Sequence, residues 1–242
     1  MDYLTFDIET IGKPWDKFDK KSKEIFKEWA QRDSNTEEEF ERALEQVKDG
    51  LPFSPFMGEV VAIAVLDQNN KGAVYFQAPN PSTRSTNSGQ VKDFEDGQIQ
   101  YRVGNEKDIL ERFWEISRHY NNFVTFGGRG FDVPYLMIRS AVNGIRPARN
   151  LLENRYLQYQ RDAKHYDLVD MFNFYGAMWG RSPKLHFVAQ AFGINTPKTD
   201  IEGKDVPKEF EKENYEKIAR YCMDDVVATQ KIFEKWKEHL EF

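Results

Sequence analysis

Asp7 and Glu9 stand two residues apart at the end of an apolar, β-branched run, Tyr3 to Ile8. In a strand, alternate side chains go to opposite faces, which puts Leu4, Phe6 and Ile8 on one side and both acids on the other. Two carboxylates leaning the same way from a buried strand repel each other unless a cation lies between them, and hard divalent cations take oxygen ligands. The pair therefore reads as half of a metal site. Spacing alone does not establish it, because Asp93 and Glu95 repeat it inside a polar stretch. Partners come from two later segments. Asp132 opens a helix after a strand, where the helix dipole favours an anion. Tyr221 and Asp225 are four apart on the last helix, which sets their β-carbons about 5–6 Å apart on one face, with Asp224 turned elsewhere. Each has a plainer reading: Asp132 as a capping acid, and the Tyr-to-Asp spacing as a common one, repeated at Tyr166/Asp170 and Tyr3/Asp7.

Bringing these groups together takes an alternation of strands and helices. After the first strand, Gly12-Lys13-Pro14 breaks the pattern, and two amphipathic helices follow. Ile25, Phe26 and Trp29 mark the first; Phe40, Ala43, Leu44 and Val47 mark the second, with Asn35 or Thr36 as its cap. Pro52 to Phe56 is an aromatic, extended connector, expected to pack on the body, with base stacking at a site edge as the second reading. Gly58–Leu66 and Gly72–Gln77 read as a hairpin, forming a three-stranded core with the first strand. The polar stretch 80–98 is expected to be a surface loop without chemistry. A helix from Asn105, a strand over Asn122–Phe126, the turn Gly127-Gly128-Arg129-Gly130 and a helix from about Phe131 complete an α/β pattern. The glycines lack the spacing of phosphate-loop or dinucleotide fingerprints and are expected to permit a tight turn and close approach of a substrate. Further on, Lys164–Leu168 reads as a strand and Met171–Trp179 as a helix. Another helix starts at Ser182-Pro183, a loop covers Asn195–Pro207, and the last helices run roughly from Lys208 to His239.

Composition bounds the rest. With 242 residues, 40% hydrophobic, 31% charged and a net charge of -6, the chain suits one domain with a sizeable core. It has neither an apolar run near the roughly 20 residues that span a bilayer nor a signal-peptide pattern, so no membrane partner and a cytoplasmic location are expected. Cys222 is the single cysteine, which excludes an internal disulfide and a cysteine-built zinc site and reads as a small buried helix residue. The acidic total argues against non-specific nucleic-acid coating. Between Gly127 and Lys164, however, seven basic residues (Arg129, Arg139, Arg146, Arg149, Arg155, Arg161 and Lys164) face three acidic ones. A locally basic surface and scattered solvated arginines are the two readings.

FDIET, FDVPYL and YCMDDV stand in the order and contexts of the three exonuclease motifs of the DEDD superfamily, in its tyrosine-bearing branch. The chain resembles the 3′-5′ proofreading exonuclease domain of family B DNA polymerases, and SPKLHFVAQAFGI adds to the likeness. The resemblance covers most of the chain. It implies an α/β, ribonuclease H-like fold, a mixed β-sheet flanked by helices, as one domain over residues 1–242 with a helical insertion at about 15–50. It implies a metal-dependent 3′-5′ exonuclease that hydrolyses terminal phosphodiesters of DNA, single-stranded by preference, and releases nucleoside monophosphates. Asp7, Glu9, Asp132 and Asp225 would hold two divalent cations, Mg²⁺ or Mn²⁺. Asp7 would bridge them, Glu9 and Asp225 would complete one, and Asp132 would act partly through water on the other. Tyr221 would orient the attacking water rather than act as base, since an unperturbed phenol has a pKa of about 10. Thr10, Gly128, Arg129 and Phe131 are the expected contacts to the substrate. Polymerase domains usually carry asparagines where this chain has Gly127 and Gly130, and the insertion has no matched counterpart, so substrate preference is where the chain departs. An exoribonuclease is the alternative within the same chemistry. A catalytically silent nucleic-acid-binding module is the other, set back by the presence of all five site residues. With the whole length used by the nuclease fold, any proofreading or repair role is expected to act in trans.

Overall fold

The computed structural model describes all residues except 33, 79–90, 179, 181, 196–200 and 242. Strand β1 (Leu4–Gly12) lies inside a mixed seven-stranded sheet with β2 (Gly58–Asp67), β3 (Gly72–Gln77), β4 (Phe94–Asp96), β5 (Ile99–Gly104), β6 (Asn122–Thr125) and β7 (Lys164–Asp167). The order is β4-β5-β3-β2-β1-β6-β7. β1 runs antiparallel to β2 and parallel to β6, which is parallel to β7. The expected hairpin is β2–β3. The expected three strands are part of a larger sheet, because β5 pairs in parallel with β3 and antiparallel with β4. The end of the expected polar loop is thus a second, short hairpin, and residues 79–90 of that loop lie outside the described residues.

Helices cover both faces. α1 (Lys20–Gln31) and α2 (Glu37–Gly50) form the insertion after β1, and α3 (Glu106–Ser117) and α4 (Asp132–Val142) pack on one face. α5 (Leu168–Phe172), α6 (Leu185–Ala191), α7 (Val206–Glu211) and α8 (Tyr215–His239) pack on the other. The β1 alternation is realised: Leu4, Phe6 and Ile8 join the core beneath α3 and α4. Phe6 is fully buried, its ring against Phe113, Phe123 and His165. In α8, Ile218, Ala219, Cys222, Met223 and Val226 face β1–β3, while Ile232, Phe233 and Trp236 reach the β6 side.

Several expectations need correction. Thr36 caps α2 in a capping box with Glu39, as one reading had it, yet α2 has no buried residue. The connector 52–56 is not extended throughout, since Leu51–Phe53 form a 3-10 turn; Pro52 is buried on the body, while Phe53 and Phe56 are exposed and Phe53 keeps an edge contact to Phe131. The helix expected from Met171 ends at Phe172, because Phe174 and Tyr175 adopt positive φ in a 3-10 turn; Trp179 lies outside the described residues. α6 begins at Leu185 with Lys184 as its cap residue, leaving Ser182 and Pro183 before it. α7 starts at Val206, with Pro207 in its first turn where it lacks only a hydrogen bond that no helix start makes.

Candidate active site

β1 supplies the first pair of acids at an irregularity. Glu9 pairs with Ala62 but Thr10 with Val60, so a bulge between them re-aims the strand end. Asp132, the first residue of α4, lies against β1: its Oδ1 accepts a hydrogen bond from the Ile8 N–H at 3.2 Å. From the other face, the Cys222 thiol donates to the Asp7 carbonyl at 3.5 Å and ties α8 to β1 at this level. Potential ligand atoms of Asp7, Glu9 and Cys222 lie within 4.8 Å of one another. Tyr221 and Asp225 share the adjoining face of α8, close enough for each to influence the other's charge. Three distant segments thus bring Asp7, Glu9, Asp132, Tyr221 and Asp225 together.

The electrostatics of this cluster are unfavourable without a cation. Burial first, and then Asp132, Glu9 and Asp225, holds the Asp7 carboxyl well above the usual range. Burial followed by Asp225 and Asp132 does the same to Glu9. Burial lifts Asp132 to about 7 against backbone hydrogen bonds that pull it down. It also lifts Asp225 to about 6, against the Tyr221 hydroxyl, which pulls it down. None of these leading influences is a cation. Four clustered carboxylates, Glu9 and Asp132 buried and Asp7 and Asp225 half-buried, with no balancing Lys or Arg among the described residues, form an oxygen donor set that fits hard divalent ions. Tyr221 is pushed up, by burial and then by Asp225 and Glu9, so its hydroxyl remains a donor at neutral pH.

Residues outside the predicted set shape the turn that delivers Asp132. Gly127 has φ 83, which favours glycine. A Cβ on Gly128 would come within 2.5 Å of the Thr125 hydroxyl. Asp167, ending β7, accepts backbone N–H bonds from Gly127, Arg129 and Val169, each at 2.9 Å. Thr125 Oγ1 accepts from Gly128 N–H at 3.2 Å and meets His165 Nε2 at 2.8 Å. His165 Nδ1 lies 3.0 Å from the Leu151 carbonyl, which can only accept, so the ring proton sits on Nδ1 and Nε2 accepts from Thr125. Burial pulls the imidazole down to about 4. Sequence spacing shows no signal for Thr125 or His165; Asp167 was visible only as an acid near a strand end.

The four expected substrate contacts are placed differently from one another. Thr10 is buried beside the bulge, its hydroxyl donating to the Pro52 carbonyl at 2.8 Å. Gly128 has both its N–H and its carbonyl engaged inside the turn, the latter by Val133 N–H at 2.9 Å. Arg129 points its guanidinium into the fold: Nη1 donates to Leu151 O at 3.1 Å and Nε lies 3.9 Å from Asp170. Phe131 is half-buried, with its ring edge-on to Phe53 at 6.2 Å. Most of the locally basic stretch is likewise engaged by the fold. Arg139 pairs with Glu106, Arg149 with Asp162 and Arg155 with Asp170, while Lys164 donates to the carbonyls of Leu157 and Gln160.

A family described as "predicted 3'-5' exonuclease related to the exonuclease domain of PolB" matches residues 57–240. The chain belongs to this family. The matched range holds Asp132, Tyr221 and Asp225 and begins after Asp7 and Glu9. The fold, including β1, is similar to the family B DNA polymerase from the hyperthermophilic archaeon Pyrobaculum calidifontis, with TM-score 0.57 and 18% identity over 97% of this chain. The matched part is 24% of that polymerase's length. The mixed sheet with helices on both faces is consistent with a ribonuclease H-like fold, as in this exonuclease family. No helix among the described residues is long and apolar enough to cross a membrane.

Proposed function

We propose that the chain is a metal-dependent 3′-5′ exonuclease acting on DNA, single-stranded by preference, and releasing nucleoside monophosphates, in the cytoplasm. The observation that carries this reading is the convergence of four carboxylates from three distant segments, Glu9 and Asp132 buried and Asp7 and Asp225 half-buried, whose charges no cation among the described residues balances. Asp7, Glu9, Asp132 and Asp225 are the residues that would hold two divalent cations, Mg²⁺ or Mn²⁺. Such ions, when bound, neutralise charge and stabilise the attacking and leaving oxygens of a phosphodiester.

The chain's own groups have separate tasks. The Ile8 N–H fixes one oxygen of Asp132, which leaves the other for a ligand. Tyr221, kept protonated beside Asp225, is assigned to orient an incoming water rather than to take its proton. Thr10, at the bulge, offers its backbone to the terminal nucleotide, and its own hydroxyl is engaged by Pro52. The glycine turn keeps bulk away from the same space.

Matched 5′-labelled single-stranded DNA, duplex DNA and RNA, incubated with Mg²⁺ or Mn²⁺, test the reading. Single-stranded DNA is expected to shorten one nucleotide at a time from its 3′ end. Faster loss of RNA would move the assignment to an exoribonuclease. Intact substrates with both metals would end the nuclease reading.

A further inference from the structure

The segment between α2 and β2 shows two large aromatic rings to solvent on a backbone that is fixed. Phe53 is 65% exposed and Phe56 77%. Apolar rings of this size usually lie in cores, so their exposure on a well-held segment calls for an occupant. The backbone around them is anchored at several points. The Pro52 carbonyl accepts from the Thr10 hydroxyl at 2.8 Å, and the Pro55 carbonyl accepts from Arg139 at 3.1 Å. Lys13 N–H donates to Met57 O at 2.8 Å, and Ser54 O accepts from Met57 and Gly58. Arg139 is itself clamped by Glu106, so the anchor is rigid.

These anchors join the rings to the carboxylate cluster. Thr10 directly follows Glu9, and the Phe53 ring meets Phe131, the residue before Asp132. Aromatic faces therefore border the cluster on the side where β1 ends and α4 begins. The guanidinium nearest in sequence, that of Arg129, is turned into the fold and does not serve a strand there. Rings beside a phosphodiester-cutting centre suit unpaired bases, whose faces are open, whereas bases in a duplex have theirs covered by neighbours. The family match starts at residue 57, so Phe53 and Phe56 lie outside the matched range, between the helical insertion and β2.

We propose that Phe53 and Phe56, with Phe131 behind them, form a stacking platform for the unpaired bases at the 3′ end of a nucleic-acid strand. This rests on the nuclease reading above and supplies its preference for single strands. The platform holds the strand through its bases, while the carboxylates deal with its terminal phosphodiester.

The test compares wild type with Phe53→Ala/Phe56→Ala and Phe53→Trp on two substrates in Mn²⁺: a single-stranded oligonucleotide, and the p-nitrophenyl ester of thymidine 5′-monophosphate, which has no second base. The double variant is expected to lower the ratio of oligonucleotide to ester turnover about tenfold or more, through KM, and Phe53→Trp to keep it. Both rings are exposed, so truncation removes little core. A second arm needs no cleavage: quenching of an oligonucleotide with 2-aminopurine at its penultimate position, titrated with protein in Ca²⁺. Quenching that weakens about tenfold in the double variant supports the platform even if nothing is hydrolysed, in which case only the nuclease reading falls. Equal quenching by wild type and double variant, or an unchanged turnover ratio, overturns the platform even if cleavage persists.

Discussion

Two groups of buried acid in this molecule meet opposite fates. Glu106, at the start of α3, receives Arg139 through two contacts at 2.8 and 2.6 Å, together with Val60 N–H and the Asn143 amide, each at 2.9 Å. Its charge is answered in full by the protein. The cluster of Asp7, Glu9, Asp132 and Asp225 is enclosed at Glu9 and Asp132 and half-open at Asp7 and Asp225, and its members chiefly face one another. Burying a charge costs several kcal/mol unless it is paired, so a chain that leaves four carboxylates unanswered folds best with something else in that place. The first arrangement supports the fold, and the second is where the proposed cations would sit.

Exchanging the consequences of mutation breaks or confirms that contrast. Glu106→Ala should destabilise the protein by about 3–5 kcal/mol in urea unfolding, since it strands Arg139 in the interior. Asp7→Ala or Asp225→Ala should leave the urea midpoint unchanged or raised while cleavage falls more than about a hundredfold. A cluster that stabilises like Glu106, losing its fold with Asp7→Ala, would erase the distinction.

His165 is a third case, a buried group satisfied only when neutral. Its folded pKa, about 4, lies below the ordinary imidazole value of 6.5, so the stability it allows is present above pH 6.5 and is lost as pH falls toward 4. The loss should be on the order of 3 kcal/mol, seen as a falling urea midpoint that flattens in His165→Gln. A smaller effect is expected from Tyr221→Phe, which should slow cleavage about tenfold and leave Mn²⁺ affinity in place, because the phenol orients water and is no ligand. Loss of metal binding in that variant would make Tyr221 part of the donor set.

The smallest predicted effect is on melting temperature. Raised folded pKa values mean that the metal-free protein binds protons more tightly than the unfolded chain. Its stability is therefore full below about pH 4 as far as these groups go, and declines as pH rises through about 6 and 7, where Asp225 and Asp132 ionise. Mg²⁺ should raise the melting temperature by a few degrees at pH 8, about 1–2 kcal/mol, and by less at pH 5. A shift that grows toward acid pH would contradict the arrangement.

How much of this was legible in the sequence follows from how local each signal is. Strand alternation placed Asp7 and Glu9 opposite Leu4, Phe6 and Ile8, and helical spacing put Tyr221 with Asp225; neither needs a distant residue. β4 and β5 were passed over because they are short and follow directly on a polar stretch, although Ile99, Tyr101 and Val103 alternate onto the core and Tyr101 is buried there. His165 and Asp167 were hidden for another reason: they hold the Gly127–Arg129 turn through its backbone, from some 40 residues downstream. Arg129 was assigned to substrate on type and place alone, and its direction depends on Leu151 and Asp170, which spacing does not reveal. The connector 52–56 was expected to pack on the body, with base stacking by its rings as the second reading, and the tethers that set Phe53 and Phe56 outward come from Thr10 and Arg139, which spacing does not reveal.

The most direct trial of the central claim is a Mn²⁺ titration of wild type and Asp7→Ala, followed by calorimetry or paramagnetic resonance in the presence of a deoxynucleoside monophosphate. Two ions per chain are expected for wild type, with binding lost in the variant. Equal binding by both proteins, or none by wild type, would contradict a cation site built on these carboxylates.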